Sequence, residues 1–318
     1  MSQIITPDDF DFRAYMVESE PQVKVLPAEA WRESLIEHIR SGDRLTGATL
    51  PWAKTHDHIR FRPGEVTLWQ GINGHGKSEL LGQVTLGFAA QDEPSCTASF
   101  EMKPQNTLRR WLRQTAMNDA PGERAVHRMF DWSRGRLWLY DQVGTVRPEM
   151  VYAVMRYCAE KLKIKHMIID SLMKCVRGED DYNGQKDFVD MLCSLSKDLN
   201  LHTHLVHHAK KKESEDVKPG KFDAKGSGSI VDQVDQMMTV WRNKKKERQL
   251  LLAERMEEGA AKQAKLEELA EQPDTLLICD KNRNGEWEGQ IALWRHAPSL
   301  QFTGDRRREP LDMIGALV

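Results

Sequence analysis

The stretch "GINGHGKS", Gly71 to Ser78, constrains this chain more than any other. Its spacing, G-x-x-x-x-G-K-S, follows "GEVTLWQG", an apolar run that reads as a buried strand, and precedes Leu80, Leu81, Val84 and Phe88 at helical spacing. A strand, a glycine-rich loop and a helix in that order aim backbone N–H groups and a helix N-terminus at one point, a cradle for phosphate unless the stretch is a plain glycine-rich turn. The cradle residues are Gly71, Asn73, Gly74, His75, Gly76, Lys77, Ser78 and Glu79. Lys77 is placed to reach the β- and γ-phosphates of ATP or another nucleoside triphosphate, and the Ser78 hydroxyl to ligate Mg²⁺.

Beyond the loop, strands and helices alternate. "CTASFEM" from Cys96, "RLWLY", "IKHMIID" and "HTHLVHH" read as strands. Between them, "PQNTLRRWLRQTAM", a face of Val151, Val154, Met155, Cys158 and Leu162, and a face of Phe188, Met191, Leu192, Leu195 and Leu199 read as helices. This order predicts an α/β fold with a mainly parallel central sheet, helices on both faces and a ligand at the C-terminal ends of the strands.

Chemistry-bearing residues fall at those ends. Asp170 closes "HMIID", where a carboxylate either holds Mg²⁺ or merely ends an apolar run, as many acids do. Glu101 in "SFEM" either orients and deprotonates an attacking water or is a surface acid opening the next helix. His207 and His208 end another strand; by the period of two, one faces the nucleotide and the other the opposite side, unless both merely end the strand. After them "AKKKESEDVKPGKFDAKGSGS" carries Lys210, Lys211, Lys212, Lys218, Lys221 and Lys225, with Gly226 and Ser227, in a polar loop suited either to single-strand phosphates or simply to solvent. "TLLICDKNRNGEWEGQIALW" reads as a C-terminal β-hairpin with a type I′ turn at Asn284-Gly285. Lys281 and Arg283 near its tip are either solvated cations or, for Arg283, a finger that stabilises transition-state charge.

Composition sets limits on these readings. The 318 residues are 40% hydrophobic, enough for a substantial core, and no run approaches the roughly 18 apolar residues of a membrane helix. "MSQIITPDDFDF" lacks the order of a signal peptide, so a soluble chain located in the cytoplasm is expected, with no membrane partner. Five scattered cysteines, none in C-x-x-C, suggest neither a disulfide framework nor a zinc site. A net charge of -2 argues against a surface coated with positive charge for indiscriminate nucleic-acid binding.

The ordered set of motifs resembles the RecA-type motor domain of the DnaB-like replicative helicases, and most of all the helicase half of phage primase-helicases and mitochondrial Twinkle. The resemblance rests on "GINGHGKS", "SFEM", "HMIIDSL", "VHHAKK", "KGSGSIVDQVDQM" and "KNR", and covers roughly residues 60 to 300. It implies a RecA-like P-loop NTPase core and a homo-oligomer, a hexameric ring with active sites between subunits. Arg283 would enter the neighbour's site with Lys281 beside it, and His208 would sense the γ-phosphate and relay its state to loops that grip single-stranded DNA. It implies ATP-dependent unwinding in phage or plasmid replication, within a bacterium or a bacterial host. The alternatives are a RecA- or RadA-like recombination ATPase and an ATPase switch or helicase loader.

The chain then divides into an N-terminal segment 1–59, a motor domain 60–304 and a tail 305–318. No primase domain is legible in residues 1–60, so the N-terminal apparatus of the family is either absent or supplied by another polypeptide, a separate primase or helicase loader. Trp31, Leu35 and Ile39 make one face of a short helix that either packs on its own domain or serves as a linker and oligomerisation arm. Residues 244–272, rich in Ala, Leu, Glu and Lys, form a helical insertion about 40 Å long if continuous.

Overall fold

The computed structural model describes residues 4–5, 27–41, 46–178, 180–209, 214–223 and 228–315. Its strands are β1 (Ile4–Ile5), β2 (Val66–Gln70), β3 (Ser95–Ser99), β4 (Leu137–Tyr140), β5 (His166–Asp170), β6 (His202–Val206), β7 (Gln236–Arg242), β8 (Thr275–Asn282), β9 (Gly289–His296) and β10 (Gln301–Thr303). They form one sheet in the order β1-β4-β3-β5-β6-β2-β7-β8-β9-β10. From β1 to β7 every pairing is parallel, and β8, β9 and β10 add antiparallel. The α/β reading with a mainly parallel sheet therefore holds.

β2, β3, β4, β5 and β6 are buried along their whole length, as expected for strands covered on both faces. The period of two sorts their side chains between two cores. Val66, Leu68, Met167, Ile169 and Leu205 pack against α5 (Pro148–Glu160), α6 (Tyr182–Leu199) and α7 (Gly228–Gln233). Trp69, Ile168 and Val206 pack against α2 (Lys77–Ala90), while α3 (Pro104–Ala116) and α4 (Glu123–Ser133) enclose a third cluster around Trp111 and Leu137. Met191, expected on the apolar face of α6, is 40% exposed; the buried stripe runs through Phe188, Leu192 and Leu195.

Residues near both ends of the motor segment pack against it. Leu50, Trp52 and Ile59 are buried in the cluster around α2, and Met313 packs in the cluster around Trp111. By contrast α1 (Arg32–Ser41) leaves Leu35 58% and Ile39 68% exposed among the described residues.

The insertion is helical but not continuous. α8 (Lys244–Glu254) and α9 (Ala260–Glu271) pack on each other as a hairpin, with Gly259 preceding α9. The reason lies in the sheet: Arg242 and Thr275 are paired neighbours on β7 and β8, so the chain between them must return to its starting point. A single 40 Å rod cannot do that. The tip of the β8–β9 hairpin also differs from expectation, since neither Asn284 nor Gly285 takes the positive φ of a type I′ turn. Residues 283–288 form a wider loop fixed by tertiary contacts: Asn284 Nδ2 donates to Glu65 Oε1 at 2.7 Å, and Trp287 stacks on His58 with centroids 4.8 Å apart.

Under β5 and β6 lie three fully buried imidazoles. His166 Nδ1 and His204 Nε2 are 3.1 Å apart, Trp69 Nε1 donates to His204 Nδ1, and His202 bonds the Thr67 hydroxyl and the Arg62 carbonyl. Burial holds all three well below the usual histidine range, His202 at about 3, with Glu93 and Lys165 the charged groups nearest His166. The folded state thus favours the neutral rings, while an unfolded chain takes up protons near pH 6.5. The rings' contribution to stability is complete above pH 6.5 and is expected to be lost progressively as the pH falls below it. Melting temperatures measured from pH 8 to 4.5 check this, and His166→Gln should flatten the slope by about one ring's share.

Candidate functional site

The sheet positions the site. The loop after β2, Glu101 after β3, Asp170 at the end of β5 and His208 after β6 all sit at C-terminal ends of parallel strands, hence along one edge. The loop can follow β2 so tightly because Gly71 has no side chain: a Cβ there would lie 2.5 Å from the Val240 carbonyl. Gly76 takes φ +87, which is strained for residues with a Cβ, and so turns the chain into α2.

These elements enclose a cavity of about 700 Å³ lined by residues 73–79, Glu101, Asp170, Lys174 and His208. Lys77 Nζ donates to the Gly71 and Ile72 carbonyls at 2.9 and 3.2 Å, and Ser78 Oγ donates to Asp170 Oδ2 at 2.7 Å. Glu101 Oε1 accepts from Ser171 Oγ at 2.9 Å and lies 3.6 Å from His208 Nε2. The His208 imidazole, then the Ser171 hydroxyl, hold the Glu101 carboxyl down at about 2 against the opposing effect of burial. Burial raises Asp170, with the Ser78 hydroxyl acting in the other direction. Ser78 and Asp170 are hard oxygen donors in contact at the cavity wall, the chemistry Mg²⁺ takes, so these residues fit that ion.

Burial also lowers Lys77 to about 8, opposed by Asp170 and Glu101. The ammonium form is the one that attracts phosphate, so triphosphate affinity is expected to be full below pH 8. Above it affinity should weaken by up to about tenfold per pH unit, until the bound lysine itself titrates. Fluorescent-nucleotide titrations from pH 6.5 to 9.5 check this; a flat profile would refute it.

Of the residues singled out in the sequence, the loop, Lys77, Ser78, Glu79, Glu101, Asp170 and His208 come together. His207 is fully buried and does not line the cavity. Lys281 and Arg283 do not join them. β8 runs antiparallel to β7 and places Asn282 opposite Gln236, itself beside Thr67 at the start of β2, so both cations sit at the other edge of the sheet. There Arg283 Nη1 pairs with Asp235 Oδ1 at 3.0 Å, and Lys281 Nζ donates to the Val231 carbonyl at 2.8 Å. Neither lines the cavity beside its own loop.

Lys218 donates to Gln290 Oε1 at 3.1 Å and lies over the Trp241 ring; Lys221 opens a short 3-10 turn. Lys210, Lys211, Lys212, Lys225, Gly226 and Ser227 lie outside the described residues. The motifs did not point to Arg110, Arg242, Thr275 and Arg295, which also line the cavity. Arg295 Nε donates to Glu79 Oε1 at 2.7 Å. Its only signal in the sequence is a place near the end of a strand whose direction local pattern does not give.

Comparison with known proteins follows the same line. The family described as "AAA domain" matches residues 48–214. No curated protein matches the chain. A solved structure described as an "ATPase Domain" superposes with a TM-score of 0.72 at 14% identity, covering 89% of this chain and 100% of that one. "The Structure Of A DnaB-Like Replicative Helicase And Its Interactions With Primase" gives a TM-score of 0.66 at 14% identity, covering 88% of this chain and 67% of that one. At such identity the two likenesses establish a shared fold. Among the described residues no helix is long and apolar enough to cross a membrane.

Proposed function

Because the chain belongs to the AAA domain family, we propose that it is an NTP hydrolase of the DnaB-like helicase type, an ATP-dependent motor that translocates on single-stranded DNA and unwinds duplex as a hexameric ring. The observation that carries the reading is the meeting of Lys77, Ser78, Glu101, Asp170 and His208 around one cavity, on a fold shared with the solved ATPase domain and the DnaB-like helicase.

In this mechanism the loop N–H groups and Lys77 hold the phosphates; Ser78 and Asp170 would hold Mg²⁺, which would supply positive charge to them. Glu101, ionised across the working pH range, orients water and accepts its proton. His208, between Glu101 and the loop that follows, registers the γ-phosphate. Arg283 acts on the neighbouring subunit's nucleotide, in keeping with its distance from its own. α1, with Leu35 and Ile39 uncovered, docks on that neighbour. The lysine loop faces DNA in the channel, where several copies concentrate positive charge that one near-neutral chain lacks. The setting is replication in a phage, plasmid or bacterium, with a separate primase or loader as partner.

The decisive test is ATP hydrolysis with and without single-stranded DNA over a salt series, together with the mass in solution under Mg-ATP. Stimulation that fades with salt, from a hexamer-sized species, is expected. Filaments would point instead to a recombination ATPase, and hydrolysis indifferent to DNA to a protein-binding switch or loader.

A further inference from the structure

The helical hairpin is rooted at a junction that touches both halves of the proposed motor. The phosphate loop leans on the end of β7: Gly71 leaves no room for a Cβ beside the Val240 carbonyl, and His75, 1% exposed, accepts the Arg242 N–H on Nδ1 at 3.1 Å. Arg242 lines the phosphate cavity and ties its side chain to Glu247, in the first turn of α8, which also pairs with Lys244 at 3.3 Å. The root of α8 is locked. Asn243 caps it through Lys246 N at 3.0 Å, and the buried Lys246 Nζ lies 2.5 Å from both Asp274 Oδ1 and the Gln272 carbonyl.

The same junction holds the loop on the other side. Trp241 Nε1 donates to the Glu215 carbonyl at 3.1 Å, the Lys218 ammonium lies 5.5 Å from the Trp241 ring centroid, and Arg248 on α8 pairs with Asp216 at 2.5 Å. Residues 214–218 belong to the lysine loop that follows His208. A continuous chain of contacts thus runs from the phosphate loop to β7 through His75, to α8 through Arg242 and Glu247, and to the lysine loop through Arg248 and Asp216.

We propose that the β7–α8 junction is a second link between the nucleotide cavity and the DNA-contacting loop, parallel to His208, with Arg248 and Asp216 as its positioning pair. This rests on the helicase reading above. It gives the start of the insertion a task in coupling.

The test uses the full chain and an oligo(dT) probe. Asp216→Asn and Arg248→Gln are each compared with the charge-swapped double variant Asp216→Arg/Arg248→Asp. Both residues lie outside the phosphate cavity, so hydrolysis without DNA and affinity for a fluorescent ATP analogue should match the wild type. The pair is partly exposed, so each single change should lower DNA stimulation by only about two- to fivefold, and the swap should restore it. The two single changes alter net charge in opposite directions. A purely electrostatic effect on DNA binding would thus move stimulation in opposite directions, whereas loss of a link lowers it in both. Full stimulation in either single variant, opposite effects in the two, or a swap that fails to restore it would overturn the link and leave the helicase reading intact. A wild-type enzyme indifferent to oligo(dT) would overturn both.

Discussion

Glu101→Gln is expected to bind Mg-ATP almost as the wild type does and to hydrolyse it about 10²- to 10⁴-fold more slowly, the range lost with a positioned general base. Glutamine keeps the shape and can still accept from Ser171 Oγ, so the cavity should stay intact. What it lacks is a lone pair basic enough to take a proton from water. Single-turnover hydrolysis beside a nucleotide titration separates the two properties. Near-normal turnover would remove Glu101 from the mechanism, and weakened binding in step with turnover would make it a structural residue.

For Arg283→Ala the expectation is a loss of about 10³- to 10⁵-fold in hydrolysis, the effect of removing an arginine finger. The distinctive part is the rescue. Mixed with Lys77→Ala subunits, which keep Arg283 but cannot hold phosphate, the dead variant should regain activity at interfaces where an intact loop meets an intact finger. Alanine also removes a cationic partner from Asp235, a buried carboxylate that accepts from the Val66 N–H at 3.0 Å. Some loss of stability is therefore expected and should be followed by thermal melting. Misfolding cannot be cured by mixing, so recovery would identify action between subunits, and its failure with well-folded protein would place Arg283 outside catalysis.

Much of this site is legible in the order of the residues. The cradle announces itself because phosphate binding needs glycines, a lysine and a hydroxyl at fixed spacing between a strand and a helix. Asp170, Glu101 and His208 stand out as strand-end residues because parallel strands all deliver their C-terminal ends to the same edge. Arg295 and Arg242 do not: charged residues near strand ends are common, and β9 reaches the cavity only because two antiparallel turns bring it back. The tip of the hairpin departs from its local pattern for a similar reason. Asn-Gly favours a tight turn locally, but Glu65, Asp235 and His58 offer contacts from far along the chain.

The sequence by itself determined the α/β order, the phosphate loop and the identities of the groups that can act on phosphate, since each depends on local periodicity or on residues a few positions apart. Tertiary structure alone decided which cations stand with the loop and which stand across the sheet from it. That choice turns on the direction of β8, antiparallel to β7, which sends Arg283 away from its own glycine-rich loop. It also decided that the insertion doubles back, because Arg242 and Thr275 are neighbours in the sheet. Both outcomes follow from pairing between strands more than thirty residues apart, where the closure of the chain, and not its local preference, sets the geometry.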